Sequence, residues 1–141
     1  MFEITGWINP SVDIVPLFET IEDLKHSVSV MQKVYNDSIY KNHLENRNNE
    51  QIVMLGFSDG TKDGGYLTAN WNILKSKEEL IDISSKYGIK LKFFDGRGGP
   101  PARGGGNTHQ FYSSMAGILD TSEIQLTIQG QTISSNFGTI D

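Results

Sequence analysis

A nearly continuous apolar run in the middle of the chain limits the possible folds most strongly. Residues 51–57 have the sequence QIVMLGF, which has the length of a strand and places apolar side chains on both of its faces. Strands of this kind occur in parallel sheets that helices cover on both sides. The run therefore predicts an α/β fold.

Strand-like and helix-like segments alternate on either side of this run. The predicted strands lie in residues 11–20, 51–57, 89–94 and 123–130. The predicted helices lie in residues 21–35, 65–87 and 108–115, with a further short helix within 36–50. Thr20 is the predicted N-cap of the first helix, because its hydroxyl can accept a hydrogen bond from the first turn. The order predicts parallel strands with helical crossovers in one domain.

The same patterns predict which surfaces are buried. Within residues 65–87, one face of the predicted helix is expected to be buried. It consists of Leu67, Trp71, Leu74, Glu78 and Ile81, which are all apolar except Glu78. Residues 58–65, with the sequence SDGTKDGG, are predicted to form a loop, because glycine and aspartate favour turns. His26 and His43 fall on polar helix surfaces and are predicted to be solvated.

Polar residues follow three of the predicted strands: Glu19, then Ser58-Asp59, then Asp95-Gly96-Arg97. Parallel strands bring their carboxyl ends to one rim of the sheet. Two convergent carboxylates, Glu19 and Asp59, are the usual protein share of a magnesium site, which water and substrate oxygens complete. A helix-capping glutamate and a turn aspartate explain the same two residues without a metal, so both interpretations stay open at this point.

A glycine-rich segment carries the two most specific candidates for anion binding. Residues 95–106 have the sequence DGRGGPPARGGG, with six glycines. Glycines such as Gly98 and Gly99 let the backbone approach an anion, and Arg97 and Arg103 can bind a carboxylate or phosphate through two parallel hydrogen bonds. A flexible loop and an RNA-binding arginine-glycine-glycine segment are the alternatives, and the second is normally repeated and disordered.

Lys62 provides a weaker indication of anion binding. It lies within SDGTKDGG, which is similar to a phosphate loop in its glycines and lysine. The segment departs from the phosphate-binding pattern, because the lysine comes too early and no serine or threonine follows it. A turn with a solvated lysine explains the segment equally well.

Composition excludes several classes of function. The net charge of −5 provides no general basic field for nucleic acid. No apolar run approaches the ~20 residues that a membrane helix needs. The chain has no cysteine, which is compatible with a reducing cytoplasm, and a cytoplasmic location is the expectation.

Taken together, three regions resemble phosphoenolpyruvate carboxylase. They are DIVPLFETIEDL at 13–24, VMLGFSDGTKDGGYLTANW at 53–71, and FFDGRGGPPARGGGNTH at 93–109 with LTIQGQTISSNFG at 126–138. The resemblance implies a TIM-type β/α barrel. Because the family's chains are several times longer, residues 1–141 are expected to be a single fragment holding about half of that catalytic barrel.

The resemblance also implies an activity and a set of site residues. The family is a lyase that joins phosphoenolpyruvate and bicarbonate to give oxaloacetate, which feeds the tricarboxylic acid cycle, and phosphate, with Mg²⁺ or Mn²⁺. By the same resemblance Glu19 and Asp59 hold the metal and Lys62 lies near the anionic reactants. Arg97, with Gly98 and Gly99, binds the substrate phosphate, and Arg103 is associated with bicarbonate.

Some features depart from the family pattern. Asp95 stands where the family usually has histidine, and an extra carboxylate there is expected either to orient Arg97 or to weaken its attraction for phosphate. The family's N-terminal histidine and arginine motifs have no counterpart, so the isolated piece is expected to be inactive. The parent enzyme is expected to be a homotetramer and the fragment to self-associate. The alternative function is a stand-alone module that binds a phosphorylated metabolite without catalysis.

Overall fold

A computed structural model describes residues 11–96 and 125–127 of the chain, together with Gly6. The strands are β1 Leu17–Phe18, β2 Glu50–Gly56, β3 Lys90–Gly96 and β4 Gln125–Leu126. The helices are α1 Ile21–Asn36, α2 Ser38–Glu45 and α3 Ser58–Lys86. The helix predicted at 108–115 lies outside the described residues.

The described strands form one parallel sheet in the order β1-β2-β3-β4. Leu17 pairs with Met54 of β2, Met54 with Phe94 of β3, and Phe94 with Gln125 of β4. Helices connect β1 to β2 and β2 to β3, and strands that are consecutive in the chain lie side by side in the sheet. The predicted α/β fold with parallel strands is confirmed.

The hydrophobic core lies between the sheet and the helices α1 and α3. Its fully buried members include Leu24 and Met31 of α1, Val53 and Leu55 of β2, and Ile73 of α3. Two hydrogen bonds connect the helices across this core: Ser76 Oγ donates to the Leu24 carbonyl at 3.1 Å, and the Tyr35 hydroxyl lies 2.9 Å from Ser84 Oγ. Small polar side chains on α3 therefore let the two helices approach closely.

Helix α1 begins where the sequence predicts. The Thr20 hydroxyl accepts a hydrogen bond from the Asp23 amide at 3.0 Å, and the Asp23 carboxylate accepts one from the Thr20 amide at 3.0 Å. Each side chain thus satisfies a backbone N–H that the helix leaves unpaired at its first turn. This reciprocal cap fixes the point at which the chain turns from β1 into α1.

Helix α3 differs from the prediction in its start and in its buried face. Residues 58–64 are helical rather than a loop, and Gly65 then interrupts the helix with φ 80° and ψ 165°. The buried residues are Ala69, Ile73, Ser76, Lys77, Leu80 and Ser84, together with Gly60. Leu67 and Trp71 of the predicted stripe are 82% and 65% exposed. The predicted face was wrong, because Ile73 and Leu80 are buried instead and small residues such as Ser76 and Ser84 on the same side contact α1.

Two further predictions were wrong. The first strand is limited to Leu17–Phe18, and Val12, Ile14 and Val15 before it are exposed. Pro16 has no N–H for a strand ladder, although its carbonyl accepts a hydrogen bond from Met54 at 2.8 Å. His43 is buried rather than solvated, and its ring lies 5.7 Å from that of Tyr40.

Candidate functional site

The carboxyl ends of the strands bring the candidate residues to one edge of the sheet. Glu19 directly follows β1, Asp59 lies in the first turn of α3 just after β2, and Asp95 lies near the end of β3. Leu55 of β2 pairs with both Phe18 of β1 and Asp95 of β3. The three acidic residues therefore lie at or just beyond the carboxyl ends of neighbouring strands.

Glu19 and Asp59 are in direct contact. A hydrogen bond with the Asp59 side chain is the main cause that raises the pKa of Glu19, and partial burial and repulsion from Asp59 add to it. Neighbouring carboxylates make the ionised form of each other less favourable, which agrees with the raised pKa of Glu19. The structure brings together the two side chains that the sequence proposes as metal ligands, and their role as ligands stays a prediction.

Lys62 belongs to the same cluster. Its Nζ lies 2.6 Å from Asp59 Oδ1, and both side chains are about half exposed. Lys62 also opposes the rise in the pKa of Glu19. The contact depends on the helical start of α3, because residues three positions apart face the same side of a helix. We name Glu19, Asp59 and Lys62 the acidic cluster.

Gly56 makes room for Glu19. A Cβ atom at Gly56 would lie 3.0 Å from both Cα and Cγ of Glu19. That distance is too short for two carbon atoms in ordinary contact. The absence of a side chain at the end of β2 is therefore what lets the residue after β1 pack beside it.

The acidic cluster is suited to binding a hard cation that keeps several of its water ligands, rather than to enclosing a metal ion with protein ligands alone. Oxygen ligands from one or two carboxylates, with water or phosphate oxygens in the remaining positions, are typical of Mg²⁺. Within the described ranges, no group of three or more His, Cys, Asp or Glu side chains is arranged to hold a metal ion. Two carboxylates in contact would lose their mutual repulsion if a divalent ion lay between them.

The arginine-rich part of the predicted rim is not described. Arg97, Gly98, Gly99 and Arg103 lie outside the described residues, and so does any contact between Asp95 and Arg97. The described chain reaches Gly96, the last residue of β3.

A buried ion pair at this edge was missed by the sequence interpretation. Lys77 Nζ lies 2.7 Å from Asp95 Oδ2, and the two side chains are only 2% and 3% exposed. The signal was present in the sequence: Lys77 lies among Ile73, Leu80 and Ser84 at helical spacing, but the interpretation assigned the buried face to another stripe. Asp95, which the sequence places on the rim, is instead held inside by α3.

No helix within the described part of the chain combines the length and the apolar character that crossing a bilayer requires.

Comparison with known proteins gives consistent matches. The family model for phosphoenolpyruvate carboxylase matches residues 3–141. The chain is 41% identical over 127 residues to the phosphoenolpyruvate carboxylase of Azoarcus sp. strain BH72, covering 90% of this chain and 14% of that protein. It is 39% identical over 131 residues to the enzyme of Corynebacterium efficiens, covering 93% of this chain, and 39% identical over 128 residues to that of Corynebacterium glutamicum, covering 91%. The chain spans 14% of the length of each of these relatives.

Proposed function

The chain belongs to the phosphoenolpyruvate carboxylase family, and from that premise we propose that it forms part of such an enzyme and carries the rim that binds metal, phosphate and bicarbonate. One observation supports the placement of the rim above all others. Glu19 and Asp59, far apart in the sequence, have their carboxyl groups in contact at the carboxyl ends of neighbouring parallel strands.

The proposed fold of this part is about half of a TIM-type β/α barrel. Consecutive parallel strands that lie side by side in the order β1-β2-β3-β4 agree with that architecture. Sites in such barrels form at the carboxyl ends of the strands, which is where the acidic cluster lies. Residues 1–141 would then be a single segment of the catalytic barrel.

The proposed reaction joins phosphoenolpyruvate and bicarbonate. A bicarbonate oxygen attacks the phosphorus atom, the bond from phosphorus to the enol oxygen breaks, and carboxyphosphate and an enolate form. Carboxyphosphate releases carbon dioxide and phosphate, and the enolate carbon bonds to carbon dioxide to give oxaloacetate. Negative charge moves among oxygen atoms throughout, so fixed cationic groups at the site lower the barrier.

Each candidate residue has a proposed role in this chemistry. Glu19 and Asp59 would hold Mg²⁺ or Mn²⁺, which when bound supplies a Lewis acid that stabilises negative oxygen atoms. Lys62, already 2.6 Å from Asp59, would contribute a positive charge beside the anionic reactants. Arg97, with Gly98 and Gly99, would bind the substrate phosphate, and Arg103 would serve bicarbonate.

Metal binding provides the first test of the proposal. Electron paramagnetic resonance of Mn²⁺ should detect a site in the chain that Glu19→Gln and Asp59→Asn each weaken at least about tenfold. Glu22→Gln is the matched control, because Glu22 is a carboxylate in the first turn of α1 with a side chain 69% exposed and has no proposed role in metal binding. Equal Mn²⁺ affinity in all four proteins would contradict the proposal.

Binding of phosphoenolpyruvate separates the carboxylase rim from a stand-alone binding module. Calorimetry with and without Mn²⁺ should give affinity that requires the metal and is lost in Glu19→Gln. Affinity that is independent of metal and is lost only in Arg97→Ala would support the module instead. Binding to nucleic acid that falls steeply with salt would contradict both interpretations.

We further propose that the isolated piece is inactive, because it spans 14% of the length of its relatives and lacks the remaining groups of the site. A coupled assay for oxaloacetate should give no turnover above background, and clear turnover by this chain alone would refute that expectation. The parent is proposed to be a homotetramer in the cytoplasm, and a reducing compartment is compatible with the absence of cysteine from this chain.

A further inference from the structure

Lys77 and Asp95 form an ion pair in the interior of the protein. Lys77 Nζ and Asp95 Oδ2 are 2.7 Å apart with side chains 2% and 3% exposed, and the ammonium also lies 5.1 Å from the centre of the Phe93 ring. Removing two charges from water is unfavourable, and their attraction seldom gains more than two apolar side chains of similar size would. Net stability is therefore a poor explanation of why the pair is there.

The location of the pair instead indicates a role in holding α3 and β3 in a fixed relative position. Lys77 belongs to the part of α3 that follows the break at Gly65, and the first turns of α3, before that break, carry Asp59 and Lys62. Asp95 is the penultimate residue of β3, and the arginine- and glycine-rich segment begins directly after that strand. The backbone of Asp95 pairs with Leu55 of β2, and its carbonyl accepts a hydrogen bond from the Thr127 amide at 3.0 Å.

We propose that Lys77 is a positioning residue, which through Asp95 fixes the last residues of β3, and so the point from which the chain continues to Arg97, relative to α3. The consequence for ligand binding rests on the proposed function, whereas the fixing of β3 does not. A charge-assisted hydrogen bond suits this task, because it has a defined length and direction that apolar packing lacks.

The test replaces both members of the pair by apolar residues, so that the charge and the hydrogen bond of the pair are removed together. Lys77→Met with Asp95→Leu should remain folded, with a urea midpoint close to that of the parent chain. Lys86→Met is the matched control, because Lys86 forms an exposed pair with Asp82 on the same helix. Lys77→Met alone should be much less stable than this control, because it leaves the Asp95 carboxylate buried.

Amide hydrogen exchange then reports the position of β3 without reference to any ligand. In the double variant the Thr127 amide should exchange about tenfold faster or more, while amides at the other end of β2 and β3 keep their protection. Unchanged exchange at Thr127 in a folded double variant would overturn the proposal. So would a Lys77→Met protein that is as stable as Lys86→Met.

Ligand binding distinguishes this inference from the proposed function. If the parent chain binds Mn²⁺ and phosphoenolpyruvate, the double variant should keep its Mn²⁺ affinity and lose about tenfold or more in phosphoenolpyruvate affinity, because only the second ligand needs both parts of the rim. Unchanged phosphoenolpyruvate affinity would contradict the positioning role. If the parent binds neither ligand, the proposed function of this chain fails, and the exchange result at Thr127 decides the role of Lys77.

Discussion

Gly56 shows how one absent side chain shapes the candidate site. We predict that Gly56→Ala lowers the free energy of unfolding by about 1–3 kcal/mol, because a new methyl group must displace packed atoms. Its Cβ would lie 3.0 Å from Glu19 Cα, which belongs to the backbone and cannot rotate away. Urea denaturation measures the loss of stability, and Mn²⁺ binding should weaken as Glu19 shifts.

Gly60→Ala is the matched control for this prediction. A Cβ at Gly60 would lie 3.5 Å from the Glu19 carbonyl oxygen and 3.6 Å from the Ala69 side chain, which are ordinary contacts. Alanine also favours a helix over glycine by about 1 kcal/mol, so this variant should be as stable as the parent or more so. Equal losses in both variants would show that close contact with Glu19 is not the reason Gly56 is required.

A second prediction at the residue scale concerns Tyr40 and the stability of the protein at alkaline pH. Burial raises the pKa of Tyr40 from 10.0 to about 12, although the hydrogen bond to Gln51 works in the opposite direction. Between these two values the folded protein holds a proton that the unfolded chain releases. The contribution of Tyr40 is therefore complete below pH 10 and is lost as the pH rises towards 12.

The predicted measurement is the urea midpoint as a function of pH. The parent chain should lose stability above pH 10 more steeply than Tyr40→Phe, which has no hydroxyl to ionise. Tyr66→Phe, at a tyrosine that is 48% exposed, should follow the parent. Identical pH profiles for the parent and Tyr40→Phe would contradict the assignment.

At the scale of elements, a break at Gly65 separates the glycine-rich first turns of α3 from the rest of the helix. Its φ of 80° and ψ of 165° lie in a region that side chains with a Cβ rarely adopt. We predict that Gly65→Ala lowers stability by about 1–3 kcal/mol. No atom lies within 4 Å of the added Cβ, so the effect would come from the backbone alone.

Thermal unfolding of Gly65→Ala and Thr68→Ala tests this prediction. Thr68 is an exposed residue of the same helix, and its replacement should change the midpoint little. A midpoint for Gly65→Ala equal to that of Thr68→Ala would mean that the break is not imposed by the fold. In that case the orientation of the first turns, which carry Asp59 and Lys62, would not depend on Gly65.

The sequence predicted correctly those features whose signals lie entirely within one short segment of the chain. The apolar run of β2 and the Thr20 cap of α1 depend on neighbouring residues, and both are found where they were predicted. The parallel order followed from the alternation of strands and helices. The contact between Glu19 and Asp59 agrees with the expectation that strand ends meet at one edge.

Features that depend on distant residues were not predicted correctly. Residues 58–65 contain three glycines and look like a loop, yet Gly60 and Gly64 pack against Glu19 and Ile21 as parts of a helix. The stripe counted from Leu67 falls on the wrong face, because the face that contacts α1 includes Ser76 and Ser84, which an apolar pattern does not mark. Lys77 was not among the predicted site residues, because its partner, Asp95, lies on another element and the sequence does not show that the two meet.

At the scale of the whole molecule, the described residues include large apolar side chains that are exposed to water. Leu67 and Trp71, one helical turn apart on α3, are 82% and 65% exposed, and Tyr66 beside them is 48% exposed. Val12, Ile14, Val15 and Leu17 form a second exposed apolar group next to β1. Monomeric proteins rarely leave large apolar groups of this kind in water.

We predict that the chain self-associates through the α3 surface formed by Tyr66, Leu67 and Trp71. Sedimentation velocity over a concentration series should show association that Leu67→Lys with Trp71→Lys weakens at least about tenfold, because burying either side chain is worth more than 1.4 kcal/mol. The double variant should keep its stability, since both residues point into solvent. Ile39→Lys, at a residue that is 50% exposed on α2, should leave association unchanged. If the double variant sediments like the parent at every concentration, the α3 surface does not mediate contact between copies, and the group beside β1 becomes the surface to replace next.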